Sequence, residues 1–262
     1  MIHLVGIDCA SAPTNVGLAF GTFFEGRVVV TDVELGSRAI PPADRIARFL
    51  ATIRGPALLA MDAPLGWPAE LAMQLADHQA GAGLQGTANA LFRRQTDVFV
   101  WQQVGKKPLD VGADLIARTA HAALSLLHEV RADREIAIPL AWSTEITDCR
   151  AVEVYPGATL AAHGISGKGY KAKGGLAERR RVLEQVAGRL ELHAEVPGIE
   201  TGSDALDAII CLLAAQDFLA GHCMPPPDDA RIRKEGWIWV RRPYRETPVT
   251  ADFGAARKTP ST

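Results

Sequence analysis

Two aspartates three residues apart, Asp204 and Asp207, are the first candidates for chemistry in this sequence. They follow Ser203, a residue typical of helix N-caps, and they precede the apolar run 209–215, so the pattern predicts a helix that begins here. Residues three apart lie on the same side of a helical turn, and the two carboxylates can therefore address a common point. Acids in a first turn also complement the helix dipole, which leaves a purely structural role open.

Three further acids lie in strand-like segments elsewhere in the chain. Two apolar runs each end on a single acid, Asp8 and Asp62, and Glu153 lies inside a run rich in β-branched residues. A buried carboxylate is costly unless it is paired or binds a metal ion. Hard divalent cations prefer carboxylate oxygens, so a shared Mg²⁺ or Mn²⁺ site is the simplest common explanation for these acids and the helix pair.

Length and composition predict a globular protein without a general affinity for polyanions. The chain has 262 residues with 48% hydrophobic content, which is ample for a core. A net charge of −2 and a pI near 6.4 give no overall basic field, so nucleic acid would be contacted only through local basic patches.

Cysteine usage and hydropathy predict a cytoplasmic protein that does not associate with membranes. The four cysteines show neither a CxxC motif nor zinc-ligand spacing, which fits a reducing compartment. The longest apolar run is far too short to span a bilayer, and the N-terminal segment lacks the pattern of a signal peptide. Oligomeric state is not encoded in any feature of the sequence that we identified.

The order of predicted elements is that of an α/β protein with a mixed sheet. The chain opens with a three-strand meander whose second turn is formed by Glu25 and Gly26. A later strand is apolar on both faces, which implies a central position beside a parallel partner. The predicted strands are 2–9, 16–24, 27–35, 57–61 and 150–155 with a late edge strand at 237–240, and the main predicted helices begin near 42, 115, 174 and 204, the third extending to 192.

The segment 66–110 interrupts this alternation and is predicted to be an insertion in a single domain of residues 1–243. It leaves the sheet directly after Asp62, and long insertions in compact domains are usually functional or mobile. We therefore expect it to border the acidic site and to offer Arg94 and Lys106 to an anionic substrate. Lys171 is a third candidate, although a basic stretch is more often simply solvated. Residues 244–262 are predicted to be a disordered tail.

Six short motifs, taken together and in order, resemble a known family. Acids on the first, fourth and fifth strands and at the start of the last long helix resemble the ribonuclease-H-like fold. The Asp-x-x-Asp-Ala opening of that helix is similar to the resolvase branch. The whole set is similar to a domain-of-unknown-function family described as predicted ribonuclease-H-like nucleases. The motifs are GID at 6–8, MDAPLG at 61–66, RQTD at 94–97, EVYP at 153–156, SDALDA at 203–208 and EGWI at 235–238.

The resemblance implies a ribonuclease-H-like mixed five-stranded sheet with helices on both faces and a metal-dependent nuclease activity. Asp8, Asp62, Asp204 and Asp207 would be catalytic ligands of Mg²⁺ or Mn²⁺, with Glu153 as a neighbouring or bridging ligand. Two ions about 3.5 to 4 Å apart can hold the attacking water and the leaving oxygen of a phosphodiester, so no protein nucleophile is required.

Two other functions are compatible with the same residues. The segment 6–11 resembles the phosphate-binding hairpin of actin-like ATPases and sugar kinases, but the chain after the fifth strand is too short for the second domain of those proteins. A P-loop is absent as well. The third possibility is a non-catalytic binding module that retains the acids of an ancestral site. Metal titration separates this module from the two enzymes, and a comparison of nucleic acid with ATP separates the enzymes from each other.

Overall fold

The computed structural model describes residues 1–112 and 114–243, and the predicted disordered tail at 244–262 lies outside the described residues. The strands of the described part are β1 (Ile2–Asp8), β2 (Gly17–Phe24), β3 (Arg27–Leu35), β4 (Ala57–Asp62), β5 (Cys149–Glu153) and β6 (Glu191–Leu192). The helices of the same part are α1 (Pro42–Thr52), α2 (Ala69–Leu75), α3 (Ala88–Phe92), α4 (Gln95–Val104), α5 (Asp114–Arg134), α6 (Pro156–Ala162), α7 (Leu176–Ala187), α8 (Asp204–Leu219) and α9 (Ile232–Glu235).

The strands form one mixed sheet in the order β5-β4-β1-β2-β3-β6. β2 is antiparallel to both of its neighbours, whereas β1, β4 and β5 run parallel, as do β3 and β6. The predicted α/β class is therefore confirmed, and the strand that carries Asp8 lies between β2 and β4 as expected from the sequence.

The sheet has six strands in the described part of the chain, one more than the five expected from the sequence. The helix predicted to reach residue 192 ends at Ala187, because Gly188 follows it and glycine is a poor helix former. The chain then adds Glu191 and Leu192 beside Val29 and Val30, which supply the unpaired edge of β3.

The late edge strand predicted at 237–240 is reduced to isolated bridges. Ile238 pairs with Glu153 at the end of β5, and the Trp239 amide donates to the Glu153 carbonyl over 2.9 Å. This segment therefore reaches the sheet only where β5 ends.

Alternation along β1 and β4 assigns their residues to two different cores. Even-numbered residues such as Leu4 and Leu58 pack in the cluster that contains α8, and odd-numbered residues such as Val5 pack with α1 and α5. Successive side chains of a strand point to opposite faces, so Asp8 and Asp62 share the face that α8 covers.

Two glycines allow α8 to lie directly against the sheet. A Cβ atom built on Gly6 would lie 2.2 Å from the Ala208 carbonyl oxygen, and one built on Gly17 would lie 2.0 Å from the Asp204 carbonyl oxygen. Any side chain at either position would force the helix away from the sheet. The close contact brings the first turn of α8, with its two acids, to the end of β1.

Nearly all residues of helix α8 are buried. Neither α8 nor any other helix within 1–112 and 114–243 combines the length and the hydropathy needed to cross a membrane.

Candidate active site

Asp8 and Asp62 lie side by side at the carboxyl ends of two parallel strands. They are directly paired in the register of β1 and β4, and neighbouring strands are about 4.8 Å apart. Both side chains are partly exposed, and no described residue forms a hydrogen bond or an ion pair with either carboxylate. The carboxyl edge of parallel strands is the usual ligand-binding edge of α/β sheets.

The first turn of α8 adds Asp207, which is fully buried. Its Oδ1 accepts a hydrogen bond from the Tyr170 hydroxyl over 2.7 Å, and its Oδ2 accepts one from the Ser203 hydroxyl over 3.0 Å. The Lys171 ammonium lies 2.9 Å from the same Oδ2. Ser203 occupies the N-cap position as predicted, but its hydroxyl binds this carboxylate and not a backbone amide. Asp204, one position into the helix, is partly exposed.

The acids share one electrostatic environment. Burial, followed by the charges of Asp207 and Asp62, raises the pKa of Asp8 well above its ordinary value. Burial also raises the pKa of Asp62 to about 7, against the opposing charge of Lys171 and with Asp207 adding to the rise. The pKa of Asp204 is raised by burial and by Asp207. The site therefore concentrates negative charge that Lys171 only partly offsets.

The pKa of Asp62 predicts how the stability of the metal-free protein depends on pH. An unfolded aspartate has a pKa near 3.9, so between about pH 4 and pH 7 the folded state binds more protons, and stability falls as the pH rises through this range. Asp62→Asn should flatten this fall and, in chelator at pH 8, should make the protein more stable than native. Urea unfolding at several pH values measures the effect. The exposed Asp133→Asn is the control, and an unchanged slope in Asp62→Asn would contradict the prediction.

A cavity of about 520 Å³ opens beside Asp8, Asp62 and Glu153, whereas Asp204 and Asp207 are not among the residues that line it. Asp8 and Asp62 line it together with Tyr155, Tyr170 and Lys171. The loop after α4 and one face of α5 complete its wall, with Lys106, Pro108, Leu109, Ile116 and Thr119. A larger cavity of about 770 Å³ lies between α4 and the segment 225–237, but none of the five predicted acids lines it. The smaller cavity is therefore the candidate site.

Glu153 and Arg94 line the same cavity, but their charged groups are paired with each other within the protein. Both side chains are buried, and they form a two-pronged ion pair with distances of 2.7 and 2.8 Å. The other Arg94 donors bind Asp97 and the Glu235 carbonyl, so all five N–H groups are used within the protein. Glu153 also accepts from the Leu65 amide over 2.9 Å. Although burial opposes its charge, Glu153 and Asp97 hold the pKa of Arg94 above its ordinary value.

The two predicted lysines do face the cavity. Lys106 is exposed on the loop that follows α4, and Lys171 lies on the loop between α6 and α7. The insertion therefore borders the acidic site, as expected, through Lys106 and its neighbours. Its expected mobility stays a prediction.

The described residues fit a divalent cation in part. No three His, Cys, Asp or Glu side chains in this portion of the chain are arranged to enclose an ion by themselves. Asp8 and Asp62 nevertheless offer two adjacent hard-oxygen ligands without a protein partner, and Mg²⁺ is commonly bound by one or two carboxylates with water and substrate phosphates. Asp207 could join them only if Lys171 moved, because both of its oxygens are engaged.

Sequence reasoning missed Tyr170 and Arg179. Tyr170 binds Asp207 from a distance of 37 residues along the chain, and its pKa is raised by burial and by that aspartate. Arg179 is buried and joins the backbone of the Lys171 loop to the segment that precedes α8. The only sequence signal for Tyr170 was its position next to Lys171 in a glycine-rich stretch. Arg179 lies in the basic run 179–181, so its structural role could not be distinguished from that of its neighbours.

The comparison with protein-family models shows to which family the chain belongs. The family model described as "Protein of unknown function (DUF429)" matches residues 6–231, a range that includes all five predicted acids. The chain belongs to this family. A search among curated proteins found no match. Family membership agrees with the resemblance seen in the sequence, and it assigns no activity to the site.

Proposed function

We propose that this protein is a metal-dependent nuclease that hydrolyses phosphodiester bonds of nucleic acid at the cavity above β1 and β4. The observation that carries the proposal is the pairing of Asp8 with Asp62 at the carboxyl ends of adjacent parallel strands, both without a partner among residues 1–112 and 114–243. Uncompensated carboxylates repel each other, and a site that keeps them together is stabilised by a cation. Asp8 and Asp62 would hold Mg²⁺ or Mn²⁺, with Asp204 and Asp207 on the facing helix.

Attack by water, and not by a protein nucleophile, is the chemistry these residues favour. Cys9 lines the cavity, but burial raises the pKa of its thiol well above the ordinary value, and the thiolate is the nucleophilic form. The Tyr170 hydroxyl donates a hydrogen bond to Asp207, and burial raises its pKa, so it stays protonated. When bound, a divalent cation activates water and neutralises charge on the phosphoryl oxygens.

Two lysines support an anionic substrate. Lys106 and Lys171 line the cavity from two different loops, so both can contact phosphate groups of a bound substrate. They supply positive charge locally in a protein whose net charge is −2. Nucleic acid therefore fits the site better than a neutral small molecule.

Nuclease activity is tested with end-labelled single-stranded and double-stranded DNA and RNA, incubated with Mn²⁺, with Mg²⁺ or with a chelator. The expected result is cleavage that requires the metal and disappears in chelator. Release of phosphate from ATP without cleavage of any nucleic acid would favour a nucleotide-handling enzyme. Failure to bind Mn²⁺ in calorimetry, both alone and with an uncleavable oligonucleotide present, would favour a non-catalytic binding module.

A further inference from the structure

Lys171 forms an ion pair with Asp207, and its backbone is fixed by buried contacts. Arg179, which is 1% exposed, donates from Nη1 to the carbonyl oxygens of Tyr170 and Ala172, both over 3.0 Å. The same guanidinium donates to the carbonyls of Ile199 and Glu200, just ahead of α8. The loop that carries Lys171 is therefore held in a fixed position relative to α8, the helix that carries Asp207.

The side chain of Lys171, in contrast, is exposed to solvent. Its ammonium lies 2.9 Å from Asp207 Oδ2, but 54% of the side chain is exposed, whereas Asp207 is buried. A lysine has a long flexible stem with a compact charge at its end, so the ammonium can swing to another anion while the backbone stays in place. Lys171 lines the same cavity as Asp8 and Asp62, and these two acids also attract its charge.

We infer that Lys171 is an internal counter-ion that competes with the divalent cation for the acidic site and, once displaced, binds a substrate phosphate. This inference rests on the proposed function and specifies how its two ligands are coupled. An ammonium on Asp207 repels an entering cation and blocks one of its oxygens. A phosphate that draws Lys171 away removes both obstacles, and by linkage the cation then strengthens binding of the phosphate.

The arrangement accounts for the absence of a three-ligand metal site among the described residues. Two of the acids are open, and the third is engaged by Lys171, Tyr170 and Ser203. Only the Lys171 contact can be exchanged without moving a buried side chain, because Tyr170 and Ser203 are themselves buried. Metal and nucleic acid therefore bind cooperatively, and each binds weakly without the other.

The test measures Mn²⁺ affinity by calorimetry for the native protein, Lys171→Met and Lys171→Arg. Each is titrated with and without a phosphorothioate single-stranded oligonucleotide that resists cleavage. Lys173→Met is the matched control, since Lys173 is exposed on the same loop. Lys171→Met should bind Mn²⁺ alone about tenfold more tightly than native, and the oligonucleotide should tighten Mn²⁺ binding at least about fivefold in native but not in Lys171→Met. Lys171→Arg and Lys173→Met should behave like native.

The outcomes distinguish failure of the inference from failure of the proposed function. Native protein that binds Mn²⁺ and cleaves, together with an unchanged or weaker Mn²⁺ affinity in folded Lys171→Met, overturns the inference alone. If Lys171→Met does not fold, tighter Mn²⁺ binding by Lys171→Arg than by native overturns it, because the retained charge must still compete. Absence of Mn²⁺ binding in native and Lys171→Met alike overturns both the nuclease proposal and the inference.

Discussion

Asp8→Asn should abolish the response to divalent cations while leaving the metal-free protein at least as stable as native. Asn keeps the shape of the side chain and removes one of two adjacent negative charges, which relieves repulsion in chelator. Cleavage and Mn²⁺ affinity should each fall by more than about 100-fold, because even residues that only support a metal ligand cost about 10-fold to 100-fold. Native protein should gain about 2.7 kcal/mol at an Mn²⁺ concentration 100 times the Kd, and the variant should gain nothing.

Thermal melts with and without Mn²⁺ measure this difference directly. Asp133→Asn, an exposed change on α5 with the same loss of charge, should keep the native Mn²⁺ shift. An Asp8→Asn protein that melts lower than native in chelator and keeps a normal Mn²⁺ shift would falsify the ligand role. That result would mean that protein partners hold Asp8 and that its replacement lowers stability by removing those contacts.

Arg94→Met should be among the most destabilising single substitutions in this protein. It leaves Glu153 and Asp97 buried without their partner, and breaking a buried pair from one side typically costs about 3 to 5 kcal/mol. The midpoint of thermal unfolding should fall by roughly 10 °C in a domain of this size. Urea unfolding gives the free energy, and Arg180→Met, an exposed arginine on α7, should change it by less than about 0.5 kcal/mol.

Glu153→Gln then separates a structural acid from a metal ligand. In the native background it should lower stability, because Arg94 loses a charged acceptor, but Mn²⁺ affinity should stay within a few-fold of native. In the Arg94→Met background the same change should cost less, since no cation remains to be paired. A large loss of Mn²⁺ affinity in a stably folded Glu153→Gln would show that Glu153 is a metal ligand, as the sequence suggested.

The local sequence pattern was sufficient to place the two strand acids, Asp8 and Asp62. Each ends an apolar run, so Asp8 and Asp62 could be assigned to one edge of the sheet before any contact was known, whereas their common face follows from the register of β1 and β4. The helix pair followed from N-terminal composition in the same way. These features depend on neighbours in sequence, and that is the information a single sequence carries.

Side-chain partnership was decided only by the tertiary structure. Glu153 has the same strand context as Asp8, yet it is neutralised by Arg94, which lies 59 residues earlier, because the insertion folds back across the end of β5. The Lys171 and Tyr170 contacts with Asp207 likewise join a loop to a helix more than 30 residues away. The periodicity of a sequence does not show which charged side chains will pair, because the pairing depends on how separate elements pack. The sequence by itself therefore determined where the acids stand, and the packing decided which of them remain free to bind a cation.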